Sequence, residues 1–399
     1  MLPSHFSLPL PYRLLDYFGG KLEALGFPIV SLDQKSLLRR AEQITGLSDF
    51  GDTYYQEGLS VLLHSIEKDA QLRFFGKLVI RIVIINYLTQ RLLFIQAKKK
   101  IPKNIQGGLQ EPFIITGIHR SGTTFLLRML SMDPQHEGIP FWRLYRPFSI
   151  PGRIDLRRIR SAVELSILRP VFRNIEAKHV IRGEKPEESA WMMGLTFYSI
   201  VYWILAPVSS YVEWLLNVDM SKYYQDYSSL LQFHQKALPG KSMVLKAPDH
   251  TPDMDMLLSE VPNARVIQLH RDPTTCVISL SSLFYSTHAA MTEDIQAKGM
   301  CEVNKRMAAH FIRANKEARQ DEDINRSIFD IEYEDLIDDP IGTVKGIYHY
   351  FNVAWSDEFD KCLREFIKKQ LKRNRKRHNY LPEQFGQVRQ ELDAFFDAL

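Results

Sequence analysis

Cysteine is scarce in this chain. Only Cys276, Cys301 and Cys362 occur among 399 residues, an odd number without a C-x-x-C pair, which argues against both a disulfide framework and a structural zinc site. A reducing, cytoplasmic setting is expected. The first residues lack a basic stretch followed by an apolar one, and Pro9 and Pro11 interrupt what apolar character there is, so no processing is expected at this end. A strong charge of one sign is missing too: 51 basic against 47 acidic residues give a net +4, too mild to argue for a nucleic-acid partner. No internal repeat is visible, and the only biased tract is a basic run near the C-terminus.

Long uninterrupted hydrophobic runs are few. Leu78 to Ile95 is broken by Arg81 and Arg91 and is expected to form an amphipathic helix. Trp191 to Val212 has no charged residue over 22 positions, enough to cross a bilayer core of roughly 30 Å. Pro207, four serines or threonines, the acidic flank Glu187-Glu188 and the lack of basic anchors favour a buried helical segment over a membrane span.

What is present has the composition of a folded protein, with 45% hydrophobic residues. Residues 1–108 read as an N-terminal helical layer, with apolar residues at three- and four-residue spacing in Lys35–Thr45 and Tyr54–Gln71. From about residue 109 the period changes. Short β-rich runs at 113–116, 243–246, 265–269 and 327–331 alternate with helical stretches, the signature of an α/β fold with a parallel sheet flanked by helices. A helical insertion over about 135–240 is a candidate wall for an acceptor site.

Between the first strand run and the next helix stands Gly117-Ile118-His119-Arg120-Ser121-Gly122-Thr123-Thr124, which has the spacing of a P-loop without its lysine. Backbone N–H groups at a helix start, glycines that permit close approach and the hydroxyls of Ser121, Thr123 and Thr124 make an anion cradle, to which Arg120 adds charge. Thr123 in the lysine position argues against nucleoside triphosphate chemistry. A plain Gly/Ser/Thr-rich turn is the simpler alternative.

The run Arg120 to Thr124 resembles the 5′-phosphosulfate loop of sulfotransferases that use 3′-phosphoadenosine 5′-phosphosulfate (PAPS). Val244-Leu245-Lys246-Ala247-Pro248-Asp249-His250 is similar to the family's strand end, where a lysine approaches the transferring sulfuryl group, and the resemblance gives Lys246 that role. Leu269-His270-Arg271-Asp272-Pro273, with Ser279 eight residues beyond Arg271, resembles the 3′-phosphate-binding segment. The resemblance implies donor contacts from Arg120, Ser121, Gly122, Thr123, Thr124, Arg271 and Ser279, and from His378 and Tyr380 in the C-terminal match. For Arg271-Asp272 an ion pair at a helix start is the simpler reading. Tyr333-Glu334-Asp335-Leu336 also matches and reads as structural. The chain is most similar to bacterial members with an N-terminal helical layer, which implies PAPS as donor, PAP (3′-phosphoadenosine 5′-phosphate) as product and no metal.

In-line sulfuryl transfer needs cations where charge develops on the leaving phosphate, a role suited to Lys246 and Arg120. It also needs a base for the acceptor hydroxyl, typically worth roughly 10² to 10⁴-fold. His179, followed by Glu187 and Glu188, resembles the family's pattern, so His179 and Glu188 are the candidates; a structural histidine and a helix-capping glutamate are the alternatives. Relatives often carry a glutamate in the aromatic segment that here reads Phe141-Trp142-Arg143-Leu144-Tyr145-Arg146-Pro147, and Glu137 just before it is expected in a surface loop. Trp191, Phe197, Tyr198, Tyr202, Trp203, Tyr211 and Trp214 either face a lipophilic acceptor or fill the core. Residues 361–378 hold nine lysines and arginines against Glu365, readable as a solvated face, an anionic-surface patch or a segment closing over the 3′-phosphate.

The expected partner is therefore a small, lipophilic hydroxyl acceptor, with no nucleic acid and with peripheral membrane contact left open. A P-loop kinase or NTPase and a non-catalytic basic scaffold for membranes or nucleic acid are the competing classes. PAP is expected to raise the melting temperature and ATP with Mg²⁺ to do so weakly, because Arg271 and Ser279 are assigned to the 3′-phosphate that ATP lacks. Equal stabilisation in a thermal-shift titration would overturn the assignment.

Overall fold

The structure is a computed structural model describing residues 7–100, 109–173, 181–371 and 381–399. Its β-rich runs become parallel strands: β1 (Phe113–Thr116), β3 (Ser242–Lys246), β4 (Arg265–His270) and β5 (Ile328–Glu332). A further strand, β2 (His136–Gly138), completes a five-stranded sheet ordered β2-β3-β1-β4-β5, parallel at every pairing. Glu137 therefore sits on an edge strand, opposite Met243 and 3.4 Å from Lys241 Nζ, and not in the loop expected of it. Three residues without apolar alternation carry no strand signal; the segment is held locally by His136, whose Nδ1 lies 2.9 Å from Asp133 and whose ring lies 4.9 Å from that of Phe113.

Period-two alternation divides β1 between two cores. Phe113 and Ile115 pack on one face with Leu126, Leu130, Val344, Phe359 and Leu363. Ile114, with Leu245 and Val266, faces the other way into the larger core, which includes Trp203 and Phe284. A parallel sheet buried on both faces requires such near-continuous apolar strands.

Four helices precede the sheet: α1 (Leu10–Ala24), α2 (Gln34–Thr45), α3 (Tyr54–Asp69) and α4 (Phe74–Lys98). Asp33 caps α2 by accepting from Ser36 N at 2.8 Å, and Gly46, at φ 72°, ends it in the left-handed conformation glycine adopts freely. Among the described residues α4 alone is long and apolar enough to cross a membrane, and it is mostly buried within the protein. It is not the amphipathic helix its arginines suggest, because one of them, Arg91, is itself fully buried. Arg91 Nη1 lies 3.7 Å from Asp226, and the guanidinium stacks 4.4 Å from the Tyr55 ring centroid and 5.0 Å from that of Tyr54. Asp226 also accepts from Lys98 Nζ at 2.8 Å and Tyr54 O–H at 2.5 Å.

The uncharged run after residue 190 is broken into the short helices Ala190–Met193, Val201–Leu205 and Ser209–Leu215 with a 3₁₀ turn at Gly194–Thr196. It is buried within the fold. Trp191, Phe197, Tyr198, Tyr202, Trp203 and Tyr211 are all core residues, and Trp214 packs against them. Their polar ends are satisfied internally: Trp203 Nε1 donates to Asn304 at 2.9 Å and Tyr202 O–H to Gly194 O at 2.6 Å. Of the two readings of these aromatics, the structure supports core packing.

Asp226→Ala is expected to cost about 3–5 kcal/mol, since it leaves Arg91 buried without its counter-charge. Urea unfolding measures this, and the double change Arg91→Met/Asp226→Leu should cost less than the single one; a single-variant loss below about 1 kcal/mol would show that Arg91 is solvated in another way.

Candidate active site

The strand register brings the chemical residues to one edge. Ile115 lies opposite Lys246, Thr116 opposite Gln268, and His270 opposite Glu332, so the segments leaving β1, β3 and β4 emerge together at their carboxyl ends. In open α/β sheets this is where ligands bind.

From β1 the chain enters the 117–122 loop and then the helix α5 (Thr123–Leu130). Thr251 ties down the entry, with Oγ1 2.8 Å from Thr116 Oγ1 and accepting from Gly117 N at 3.1 Å. Gly117 has φ 120°, and a Cβ there would fall 2.3 Å from Leu269 O, so the loop leans against β4 in a way only glycine allows. Arg120 is left-handed at φ 74°, sparsely populated for a side-chain-bearing residue. Its carbonyl accepts from Arg271 Nη1 at 2.8 Å, and its Nε donates to Ser279 Oγ at 3.1 Å. Arg120, Arg271 and Ser279, distant in sequence, thus form one cationic cluster beside the loop.

Arg271 stacks 3.9 Å from the Tyr333 ring centroid, and the same ring closes on Gly122. Asp272 is engaged elsewhere, accepting from Thr274 N and Thr275 N to cap the helix Pro273–Met291 and pairing with Arg389 at 2.8 Å. The two neighbours are not paired with each other, which removes the helix-start ion-pair reading. Ser121 Oγ is buried without a protein partner. A buried hydroxyl beside a helix N-terminus and two guanidinium groups fits a phosphate-type anion.

At the end of β3, Lys246 is 1% exposed and forms an ion pair with Glu188. Ser189 N donates to Lys246 O at 2.9 Å, which fastens the start of the 190–215 segment to the strand end. The Glu188 carboxylate is therefore turned to the lysine and does not cap the following helix. Of the residues singled out by sequence, Arg120 to Thr124, Lys246, Glu188, Arg271 and Ser279 converge at this edge, whereas His179, His378 and Tyr380 lie outside the described residues.

Four residues here went unassigned in the sequence. His119 is buried with both ring nitrogens lacking a hydrogen-bond partner, its Nε2 3.4 Å from Asp249 Oδ1. Tyr333 supports Arg271 and Thr251 supports the loop. His119, inside the loop motif, and Asp249, three residues beyond Lys246, carried a signal in their position, and Tyr333 stood in a segment already read as structural; Thr251 carried none. Farther along the same loop, burial holds His250 down at about 3, so its imidazole is neutral and its Nδ1 lies 3.1 Å from Tyr224 O–H.

The sequence profile of the sulfotransferase family matches residues 112–357, more than half of the chain. The chain belongs to the sulfotransferase family. Its curated relatives include the omega-hydroxy-beta-dihydromenaquinone-9 sulfotransferase Stf3 of Mycobacterium bovis and of Mycobacterium tuberculosis, each 23% identical over an alignment of 279 residues that covers 64% of this chain and 66% of the relative. The match thus spans just under two thirds of those relatives. Among solved structures, sulfotransferase STF1 from M. tuberculosis H37Rv is similar at 27% identity and a TM-score of 0.74, covering 93% of this chain and 99% of that one. Sulfotransferase STF9 from Mycobacterium avium shares the fold at 22% identity and a TM-score of 0.76, covering 92% and 96%. The five-stranded sheet and the preceding helices are accordingly those of a sulfotransferase-family enzyme.

Gly117→Ala is expected to lower stability by about 2 kcal/mol or more, from left-handed strain plus the clash with Leu269 O, and to abolish PAP-induced stabilisation. A melting curve matching wild type would show that the loop does not lie against β4.

Proposed function

We propose that this protein transfers a sulfuryl group from PAPS to the hydroxyl of a lipophilic acceptor in the cytoplasm. The observation that carries the reading is a buried lysine at a strand end, paired with a carboxylate and set beside a lysine-free phosphate loop. When bound, PAPS supplies a sulfuryl group already activated on a phosphate leaving group. The N–H groups opening α5 and the hydroxyls of Ser121, Thr123 and Thr124 would hold its 5′-phosphosulfate. Arg271 and Ser279 would take the 3′-phosphate, whose charge the neighbouring Arg120 shares.

Lys246 meets the charge that grows on the leaving oxygen, a contribution made mainly in the transition state. Its pairing with Glu188 keeps a buried ammonium neutralised until an anionic donor arrives. As the lysine turns to the donor, the Glu188 carboxylate becomes available to accept the acceptor's proton. His179 shares the candidacy for base through family resemblance. A lipophilic acceptor is favoured because the distant relatives bear the name of a sulfotransferase acting on a hydroxylated menaquinone.

The test is transfer of labelled sulfate from PAPS into a lipid and metabolite extract. Lys246→Ala should lower kcat more than donor affinity, and Arg271→Ala should do the reverse. Glu188→Gln is expected to remove roughly 10² to 10⁴-fold of turnover while PAP still binds. An equal, pure loss of donor binding in the Lys246 and Arg271 variants would overturn the division of roles, and near-normal turnover in Glu188→Gln would remove that residue as base.

A further inference from the structure

Helix α1 is inside out. The residues that fasten it to the protein are polar or small: Asp16 Oδ1 accepts from Phe75 N at 2.8 Å, Glu23 pairs with Lys77 at 2.7 Å, and Gly19 is its one buried residue, lying against the Phe74 ring. Tyr12 adds a ring contact to Phe75 at 5.6 Å. These positions, 12, 16, 19 and 23, form one helical stripe. The apolar residues point the other way, with Phe18 58% exposed and, just past the helix, Leu25 72% and Phe27 63%. An ordinary surface helix has the opposite arrangement.

A second helix beside it also leaves a row of apolar residues in solvent. The helix Arg157–Leu168 packs Leu165 and Leu168 against the core and offers buried Ser161 and partly exposed Glu164 to Arg146, which they accept from at 2.9 Å and at 2.6 and 2.7 Å. Ile159, Val163 and Ile167, at four-residue spacing, are 59%, 50% and 54% exposed, and Ile154 before them is 85% exposed. Tyr12 O–H of α1 donates to Ile167 O, so the two helices adjoin. Exposed apolar residues so grouped on two neighbouring helices differ from the scattered single ones of a normal surface.

Its charge bears on what covers it. Residues 153–173 contain six arginines against Asp155 and Glu164; Arg157 pairs with Asp155 and Arg158 with Glu184, while Glu164 is taken up by Arg146. Arg13 and Lys21 flank the α1 face, with Lys21 Nζ 4.7 Å from the Tyr17 ring centroid. Exposed aliphatic and aromatic residues rimmed by arginine and lysine are what an anionic bilayer surface accepts: the apolar residues enter the acyl boundary and the cations meet the headgroups. A second copy would set arginines against arginines across a symmetric interface.

We infer that α1 and the helix Arg157–Leu168 form a peripheral docking surface for an anionic lipid bilayer. Such a surface does not require the acceptor to be a lipid, although a membrane-dissolved acceptor would be met there.

The test is cosedimentation of the full chain with vesicles of phosphatidylcholine alone or with about one third phosphatidylglycerol. Binding is expected to the anionic vesicles and to weaken as salt rises to about 0.5 M. Phe18→Glu with Ile159→Glu should reduce it by at least about tenfold, and Arg160→Glu should reduce it on anionic vesicles. Phe18 and Ile159 are exposed, so melting temperature and PAP binding should stay at wild-type values in the double variant; PAP binding reports on the donor site separately. No binding by the wild-type chain, or undiminished binding by the double variant, would overturn the inference. So would a dimer in light scattering that the double variant converts to monomer, since the patch would then be covered by a second copy.

Discussion

Strand β1 is hydrogen-bonded to β3 on one side and β4 on the other, and that central position governs the rest of the site. The loop after β1 is held in place because Gly117 rests on Leu269 O of β4 while Thr251, beyond β3, receives its backbone N–H. The same register presents Lys246 at one neighbouring strand end and Arg271 at the other. Cations and N–H groups are thus set before any ligand arrives, and electrostatic work at the site needs little reorganisation.

Such a concentration of charge is held in check within the fold. Lys246 is neutralised by Glu188, and Arg271 is occupied with the Arg120 carbonyl and the Tyr333 ring. Each is a contact of the kind that the proposed donor would exchange. The Arg91–Asp226 pair has a different character. Buried in the helical layer with Tyr54, Tyr55 and Lys98 around it, it ties α4 to the helix Ser221–Lys236.

Family membership and fold unite this chain with the mycobacterial sulfotransferases, while the acceptor is a matter of shape and surroundings. The aromatic run at 191–214 fills the core and is unavailable as a free pocket wall. Rows of exposed apolar side chains lie instead on α1 and on the helix Arg157–Leu168, which keeps Leu165 and Leu168 against the core.

The sequence by itself determined the parallel α/β plan, the helical layer and the phosphate loop, since each is written in local period and spacing: apolar strands of four to six residues, three- and four-residue helical steps, and glycines at loop positions 117 and 122. It also singled out Lys246, Glu188, Arg271 and Ser279, through resemblance. Only the tertiary structure decided that Glu188 faces Lys246, that Arg271 turns to Arg120 and not to Asp272, and that Tyr333 backs the guanidinium, because these contacts join residues 58 to 151 positions apart. The same holds for β2, too short to show alternation, and for α4, whose arginines look solvated until Asp226 is brought to one of them. Local chemistry is read along the chain, whereas charge pairing and burial are properties of neighbours that only folding assembles.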